Sequence, residues 1–356
     1  ALLAGVIGTT GFAADGFTIA NTLPNQFYLL IAGGALNAVL VPQIVRAKLR
    51  PDGDEFVNRI ITLSLTVLAV ATVALTLAAP LLVRLYSRFD DPDALRLTTI
   101  FAVICLPQIF FYGLFTILGQ VLNANGRFAG YMWAPALANV VAVIGLVWFK
   151  QAGYPSGAAP QDWTPEMIAI LAGSATLSIV IQALALTIPL RRIGFRYRPV
   201  WGIRGHGLGE VSRVAKWTFG SIVVSQLGYI VTSNVLTGTT SRGAAVGEGV
   251  PGLTAYSQSF LIIMLPHGLV TVSLVTALYT SLSEAASHDD TRQVRRYHDQ
   301  GMRLPAVVIV PGIAFIALPA PYIASTFFFN NSLEETRAIA VVLAVMAWLV
   351  IPVSWT

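Results

Sequence analysis

Charge is scarce in this sequence, and cysteine is almost absent. Only 11% of its 356 residues are Asp, Glu, Lys or Arg, whereas 55% are hydrophobic. A soluble globular domain carries about 25% charged residues, so the low charge excludes a water-soluble enzyme or binding domain. The single cysteine, Cys105, excludes an internal disulfide framework and a thiolate metal site. We interpret Cys105 as a small core residue.

Catalytic motifs are missing as well. The sequence holds no HExxH, no CxxC and no nucleophile elbow, and the glycine-rich run at 202–209 lacks the lysine of a phosphate-binding loop. Asp90, Asp91 and Asp93 offer too few oxygen ligands at defined spacing for a calcium site and are interpreted as a solvated turn. We therefore expect a protein that is not an enzyme and that uses no cofactor and no resident metal.

Long uncharged runs take the place of charge. They cover residues 16–45, 60–83, 97–126, 128–149, 167–190, 217–241, 249–283, 304–333 and 338–356, with a shorter piece at 1–14. A helix crosses the bilayer core with about 20 apolar residues. The pattern predicts an all-α polytopic membrane protein with about ten helices in this chain, here called spans 1 to 10. Because the chain has no initiator methionine, we expect the natural protein to extend in both directions.

The basic residues predict an orientation. If the loop at 46–59 is cytoplasmic and the loops alternate from there, sixteen of the 22 Lys and Arg residues fall on the cytoplasmic side. The positive-inside rule therefore accounts for the net charge of +5 better than nucleic-acid binding does. We expect a multi-pass membrane protein with a cytoplasmic N-terminus.

Spans 7 to 10 resemble a second copy of the first half. Ala79-Pro80 lies near the outer end of span 3, and Ala320-Pro321 lies at the matching place in span 9. The two copies point the same way across the membrane, which predicts two pseudo-symmetric helix bundles related by a parallel repeat. The predicted division is an N-terminal lobe at 1–195, a cytoplasmic interfacial linker at 196–212 and an incomplete C-terminal lobe at 213–356. Arg196, Tyr197, Arg198 and Trp201 of the linker are expected at the level of the lipid headgroups.

Span 2 is unusual for a helix surrounded by lipid. It carries Asn21, Pro24, Asn25, Gln26, Gly33, Gly34, Asn37 and Pro42 within an uncharged run. Proline removes a backbone donor, and amides are costly to desolvate. Such residues are tolerated where a helix lines a cavity or packs closely on its neighbours. We interpret span 2 as a broken helix that faces a polar pathway.

Three stretches carry a resemblance to a known family. They are ADGFTIANTLPN (14–25) followed by GGALNAVLVPQIVRA (33–47), VLNANGRFAGYMWAPALANVV (121–141), and RRIGFRYRP (191–199). The chain is similar to the MurJ/MviN lipid II flippases of the multidrug/oligosaccharidyl-lipid/polysaccharide exporter superfamily, especially to actinobacterial members. The resemblance implies fourteen helices in the full protein, arranged around a central cavity. It also implies movement of lipid II, a peptidoglycan precursor, from the cytoplasmic to the outer leaflet by alternating access between two lobes.

Some positions depart from the family pattern. Tyr28 and Leu29 stand where members often have basic residues, and Gln258-Ser259 stand near the place of a common arginine. None of the basic residues lies inside a predicted span. Charge compensation for an anionic lipid is therefore expected from residues before the chain begins, from the positive ends of broken helices, or from a cytoplasmic rim formed by Arg46 and Arg127.

The candidate substrate-binding residues are polar side chains in the spans and at the rim. They are Asp15, Asn21, Asn25, Tyr28, Asn37, Arg127, Asn139, Gln226, Asn234 and Gln258. Alternatives stay open for several of them. Asp15 is either a gate contact or an N-terminal helix cap. The amides either face the pathway or bond neighbouring helices, and Tyr28 either stacks on sugar or packs. His267 is interpreted as a packing residue, with a proton relay as the alternative.

The expected partners are a lipid-linked anionic glycan, membrane lipids and proteins of cell-wall synthesis, without nucleic acid. A lipid II flippase is the first hypothesis for function. An exporter of another lipid-linked glycan or of amphipathic drugs is the second. A non-transporting scaffold of the cell-wall machinery is the third.

Overall fold

The described part of the chain is built from helices. The computed structural model describes residues 2–31, 53–201, 211–247, 249–287, 290–329 and 331–349. The helices are α1 (Leu2–Ile7), α2 (Phe12–Ile31), α3 (Gly53–Leu77), α4 (Ala79–Tyr86), α5 (Pro92–Cys105), α6 (Gln108–Ala124), α7 (Phe128–Gln151), α8 (Pro165–Ala185), α9 (Thr187–Arg192), α10 (Val211–Val246), α11 (Leu253–Pro266), α12 (Ser273–Ser287), α13 (Thr291–Ala317), α14 (Ala320–Phe327) and α15 (Leu333–Met346). A π-helical turn, His267–Val272, joins α11 to α12, and short 3-10 turns lie at Pro160–Asp162 and Ala347–Leu349.

Seven helical stretches among the described residues are long and apolar enough to cross a membrane. They correspond to predicted spans 3 to 9, and the exposed side chains along them include many large hydrophobic residues, as a lipid-facing surface requires. The prediction of an all-α polytopic membrane protein is confirmed.

Local capping residues determine where several helices begin. The Asp91 side chain accepts the backbone N–H of Asp93 at 2.8 Å, so this acid caps α5 as part of the predicted solvated turn. Thr164 caps α8 through the N–H of Met167. Ser332 and Glu335 form a capping box at the start of α15.

Prolines explain the breaks inside the spans. Span 3 divides into α3 and α4 because Pro80, at the start of α4, cannot donate the next helical hydrogen bond. Pro319 and Pro321 divide α13 from α14 in the same way. The α4 and α14 helices begin at residues 79 and 320, and α5 and α15 begin at residues 92 and 333, so both pairs are separated by 241 positions. The helix bounds therefore follow the repeat that the sequence predicts.

Two helices are longer than the uncharged runs indicate. The α10 helix begins at residue 211 rather than 217, and α13 begins at residue 291 rather than 304. Both extensions contain arginines, which are good helix formers. A charged segment ends the apolar run without ending the helix, and this explains the difference.

The chain divides by contacts into two compact units. Unit 2 covers residues 12–241, and unit 1 combines residues 1–11 with residues 242–356. The sequence boundaries of the two lobes, at 195 and 213, follow the repeat instead and stay a prediction. In unit 2 an apolar cluster joins α3, α6 and α9 through residues such as Leu68, Leu122 and Leu190. Cys105 is completely buried at the end of α5, which confirms its interpretation as a core residue.

Candidate functional site

The first turn of α2 carries a fully buried carboxylate. Asp15 has an exposed fraction of 0% and lies in the first turn of α2, which begins after Gly11. The positive end of the helix dipole stabilises a negative charge at this position. Asp15 is therefore not the residue that precedes the helix, as an N-cap would be. The adjacent Gly16 permits this burial, since a Cβ atom there would collide with the Thr98 hydroxyl of α5. An ionisable group inside a membrane protein is costly, which makes Asp15 a candidate functional residue.

One face of α2 is bonded to α10. Thr240 donates its hydroxyl to Asp15 Oδ2 at 2.5 Å, and Gln226 Nε2 donates to Gln26 Oε1 at 2.7 Å. Asp15 and Gln26 are separated by about three helical turns, so they lie on the same side of α2. The two pairs occur in opposite order along the chain, which shows that α2 and α10 run antiparallel where they meet.

The same side of α10 also holds the end of α4. Ser233 donates to the carbonyl of Tyr86 at 2.5 Å, and Asn234 Nδ2 donates to the carbonyl of Leu85 at 2.7 Å. Beyond the helix, Thr237 accepts the backbone N–H of Arg88 at 2.9 Å. The last carbonyls of a helix have no partner within it, so Ser233 and Asn234 satisfy two carbonyls at the end of α4, of which the bond to Tyr86 is buried.

We call the side chains of Gln226, Ser233, Asn234, Thr237 and Thr240 the polar stripe of α10. Ser233, Thr237 and Thr240 are buried, and Gln226 and Asn234 are half-buried. All of them bond to α2, α4 or the residues that follow α4, within unit 2. We call the stripe, together with its partners Asp15 and Gln26 on α2, the polar seam.

The opposite face of α2 contacts α6 through a second polar group. Gln108 is 1% exposed, and its Nε2 donates to Thr176 Oγ1 at 3.0 Å and, more weakly, to Asn21 Oδ1 at 3.5 Å. Thr176 donates in turn to the carbonyl of Ile104 at 2.9 Å, next to the break between α5 and α6. The Gln108 Oε1 atom is buried without a hydrogen-bond partner among the described residues. Asn21 is therefore an interhelical amide in this structure.

Tyr28 continues that face one helical turn beyond Asn25. Its hydroxyl bonds to Thr116 at 2.5 Å, and its ring lies 5.8 Å from the ring of Tyr112. Both ends of the side chain thus have protein partners. The geometry favours the packing interpretation of Tyr28 over stacking on a sugar.

The remaining predicted residues are scattered. Asn25 is exposed on α2, and Gln258 is half-buried on α11 in unit 1. Asn139 is exposed on α7 between the exposed Leu137 and Val140. Arg127 is exposed at the N-cap of α7. Asn37 and Arg46 lie outside the described residues.

Sequence reasoning missed two members of the seam. Thr240 bonds to Asp15 and Thr237 bonds to the backbone of Arg88, yet neither threonine is among the predicted residues. A signal was present, because residues 226, 233, 237 and 240 recur at the spacing of one helical face. His267, by contrast, begins the π-helical turn after Pro266, a type of irregularity that is frequent at functional sites.

Comparison with known proteins places this geometry in a family. A sequence model of the family described as lipid II flippase MurJ matches residues 3–356. The chain belongs to the MurJ family. Among curated members, it is 26% identical over 353 residues to a probable lipid II flippase MurJ of Rhizobium meliloti, covering 96% of this chain and 62% of that protein. A Haemophilus influenzae member is 25% identical, with 93% of this chain and 64% of the relative covered. The chain thus spans a little under two thirds of the length of these relatives.

Solved structures show the same fold. The inward closed conformation of a lipid II flippase MurJ matches 98% of this chain and 68% of its own, with a TM-score of 0.72 at 16% identity. An inward-facing multidrug transporter of the MATE family matches with a TM-score of 0.63 at 15% identity, covering 99% of this chain and 81% of its own. The MurJ-family chain thus has the helical framework of these membrane transporters.

Proposed function

We propose that this MurJ-family protein moves lipid II from the cytoplasmic to the outer leaflet of the bacterial plasma membrane, with its N-terminus in the cytoplasm. Family membership supports the substrate, and the charge distribution of the loops supports the orientation. The single observation that carries the proposal is the polar seam of α2 and α10, which surrounds a fully buried carboxylate. The protein transports its substrate without changing a covalent bond.

The chemistry of the substrate explains why such a seam is needed. A lipid-linked sugar carries a diphosphate, and moving this charge through hydrocarbon is prohibitive unless polar groups replace its water. Amides and hydroxyls on α2 and α10 are such groups. In this structure they are bonded to each other, so transport requires that α10 part from α2 and α4 and offer these groups to the substrate and to water.

Asp15 acts as a gate contact in this proposal. Its negative charge repels a diphosphate, so it is unsuited to hold that group. The short hydrogen bond from Thr240 instead joins α10 to α2 while the seam is closed. Breaking this bond exposes both groups, and their hydration compensates for the contact that is lost.

The capture of the diphosphate is assigned to the cytoplasmic rim. Arg127 is exposed at the start of α7, where the positive end of the helix dipole adds to its own charge. Arg46 is the other predicted rim residue. Lipid II binding by the Arg127→Ala variant tests this step, with the exposed Arg295→Ala on α13 as a control. Unchanged affinity at low salt would remove Arg127 from the mechanism.

Complementation tests the function as a whole. The protein is expressed in a bacterium depleted of its own flippase, and lipid II at the outer face of the membrane is measured. Restored growth with restored exposure supports the flippase. Restored growth without any exposed lipid II indicates the scaffold, and failure of both with the protein correctly inserted points to an exporter of a different compound.

A further inference from the structure

A stretch after α9 is held against α3 by two buried polar side chains. We call residues 191–201 the arginine segment. The Asn58 side chain accepts the backbone N–H of Arg198 at 3.1 Å, and Thr62 Oγ1 accepts the backbone N–H of Val200 at 3.2 Å. The Tyr197 hydroxyl bonds to the same Thr62 at 2.9 Å. Asn58 and Thr62 are 6% and 3% exposed. Two buried polar side chains of α3 therefore bind the backbone of the arginine segment.

The beginning of the segment is fixed as well. Gly194 has a φ of +77°, the left-handed conformation that ends a helix, and its N–H bonds to the carbonyl of Arg191 at 3.1 Å. The next N–H, of Phe195, bonds to the carbonyl of Leu190, and the Phe195 ring packs on the apolar cluster of α3, α6 and α9. The direction in which the segment leaves α9 is therefore fixed, and its second half is hydrogen-bonded to α3.

This ordered backbone presents unpaired cations. Arg191, Arg192, Arg196 and Arg198 are all exposed, and none of them forms an ion pair with the described residues. Arg59, which is adjacent to Asn58 on α3, differs, since it pairs with Glu55 at 2.8 Å. Four like charges held close together repel one another. A bound anion removes that repulsion.

We propose that the arginine segment binds the phosphate of an anionic phospholipid headgroup. Trp201 is 72% exposed and Tyr197 is 43% exposed, and aromatic residues of this kind lie at the headgroup level of bilayers. Clustered arginines beside a membrane-spanning helix attract acidic lipids. The positive-inside rule requires only that the charges be present. That rule does not explain why Asn58 and Thr62 fix the backbone of the arginine segment, whereas a lipid-binding site does.

The fluorescence of Trp201 can report which lipid lies beside the arginine segment. The protein is placed in phosphatidylcholine nanodiscs with increasing fractions of phosphatidylglycerol that carries brominated acyl chains, which quench nearby tryptophan fluorescence. The difference between the wild type and Trp201→Phe isolates the signal of this residue. Brominated phosphatidylcholine serves as the reference for random mixing. We expect phosphatidylglycerol to be enriched at Trp201, and we expect the enrichment to fall roughly five-fold for each arginine replaced.

Matched variants separate a built site from general surface charge. The double variant Arg196→Gln/Arg198→Gln should lose the enrichment, while Arg295→Gln/Arg296→Gln, with the same change of charge on exposed residues of α13, should keep it. Thr62→Val keeps every arginine but frees the segment, and it should weaken the enrichment in part. Equal quenching by both lipids in the wild type, or equal losses in the two arginine pairs, would overturn the proposal.

A phosphate competition completes the test. Inorganic phosphate at constant ionic strength should not displace the quenching lipid, because the aromatic residues favour a ligand that is anchored in the bilayer. Displacement at millimolar phosphate would show that the segment is a site for free phosphate and would overturn the assignment to a lipid. None of these measurements requires transport, so their outcome is independent of the proposed flippase activity.

Discussion

The two copies of the repeat share a framework but differ in chemistry. The α2 helix begins at residue 12 and α11 at residue 253, again 241 positions apart, so Asp15, Asn21 and Gln26 correspond to Tyr256, Ile262 and His267. The first copy continues as an α-helix through Pro24. The second changes to a π-helical turn directly after Pro266. In the first copy, α2 thus carries polar contacts and a buried acid. In the second copy, α11 is followed by a distorted backbone instead.

This difference separates what the fold requires from what transport requires. Prolines and caps recur in both copies because they determine where helices begin and end. The buried acid at position 15 does not recur, and burying an ionisable group costs folding free energy even when it is hydrogen-bonded. A residue that appears in only one copy and is costly to bury is therefore a better candidate for function than one that both copies share.

The largest effect is expected at Asp15. Asp15→Ala removes the acceptor of the Thr240 hydroxyl, and a hydrogen bond to a charged group contributes about 1.5–3 kcal/mol, which corresponds to roughly ten- to a hundred-fold in the closed-state equilibrium. Each transport cycle must also close the seam again, so lipid II exposure at the outer face should fall by up to that factor. Tyr256→Phe, at the equivalent position of the second copy, is the control. Equal losses in the two variants would show that the copies are not chemically distinct.

The next largest effect is expected at Gly16, where α2 packs closely on α5 in the first copy. Gly16→Val places a side chain where the Thr98 hydroxyl lies, and overpacking of this kind costs about 1–3 kcal/mol. The corresponding residue of the second copy is Ser257, so Ser257→Val should have a smaller effect. Thermal unfolding in detergent measures both. Adding Thr98→Ala to Gly16→Val should restore part of the loss, and no restoration would show that the damage arises elsewhere.

A smaller effect is expected at the end of α4. Ser233→Ala removes the donor to the buried carbonyl of Tyr86, and such a loss typically costs about 1 kcal/mol. Thr326 on α14 is exposed and donates to the Tyr322 carbonyl of its own helix, so Thr326→Val is a suitable control with little expected change. The midpoint of thermal unfolding distinguishes them. An equal shift in both would assign no special role to the polar stripe of α10.

The sequence predicts the framework better than the seam. Ala79-Pro80 and Ala320-Pro321 indicate both helix breaks, because proline acts through local geometry. The partner of Asp15 could not be predicted, since Thr240 lies 225 positions away and hydroxyl residues are common on membrane helices for packing alone. Asn139 shows the opposite case, a residue that is predicted from the sequence and that lies outside the seam. It matches a family motif, yet it is exposed on α7 away from the seam.

The smallest effect concerns the start of α13, where the second copy has a cap outside the membrane spans. The Asp290 side chain accepts the backbone N–H of Gln293 at 3.0 Å and its side-chain amide at 3.1 Å. These bonds, the backbone one foremost, lower the pKa of Asp290 below its usual value. A lowered pKa means that the stabilisation is present above the unfolded value and is lost as the pH falls through the folded one. Hydrogen exchange at residues 291–297, corrected for intrinsic rates, should therefore rise on acidification in the wild type. Asp290→Asn keeps a capping oxygen without a titrating charge, so its exchange should not change with pH. A parallel rise in both proteins would place the pH sensitivity in another group of unit 1.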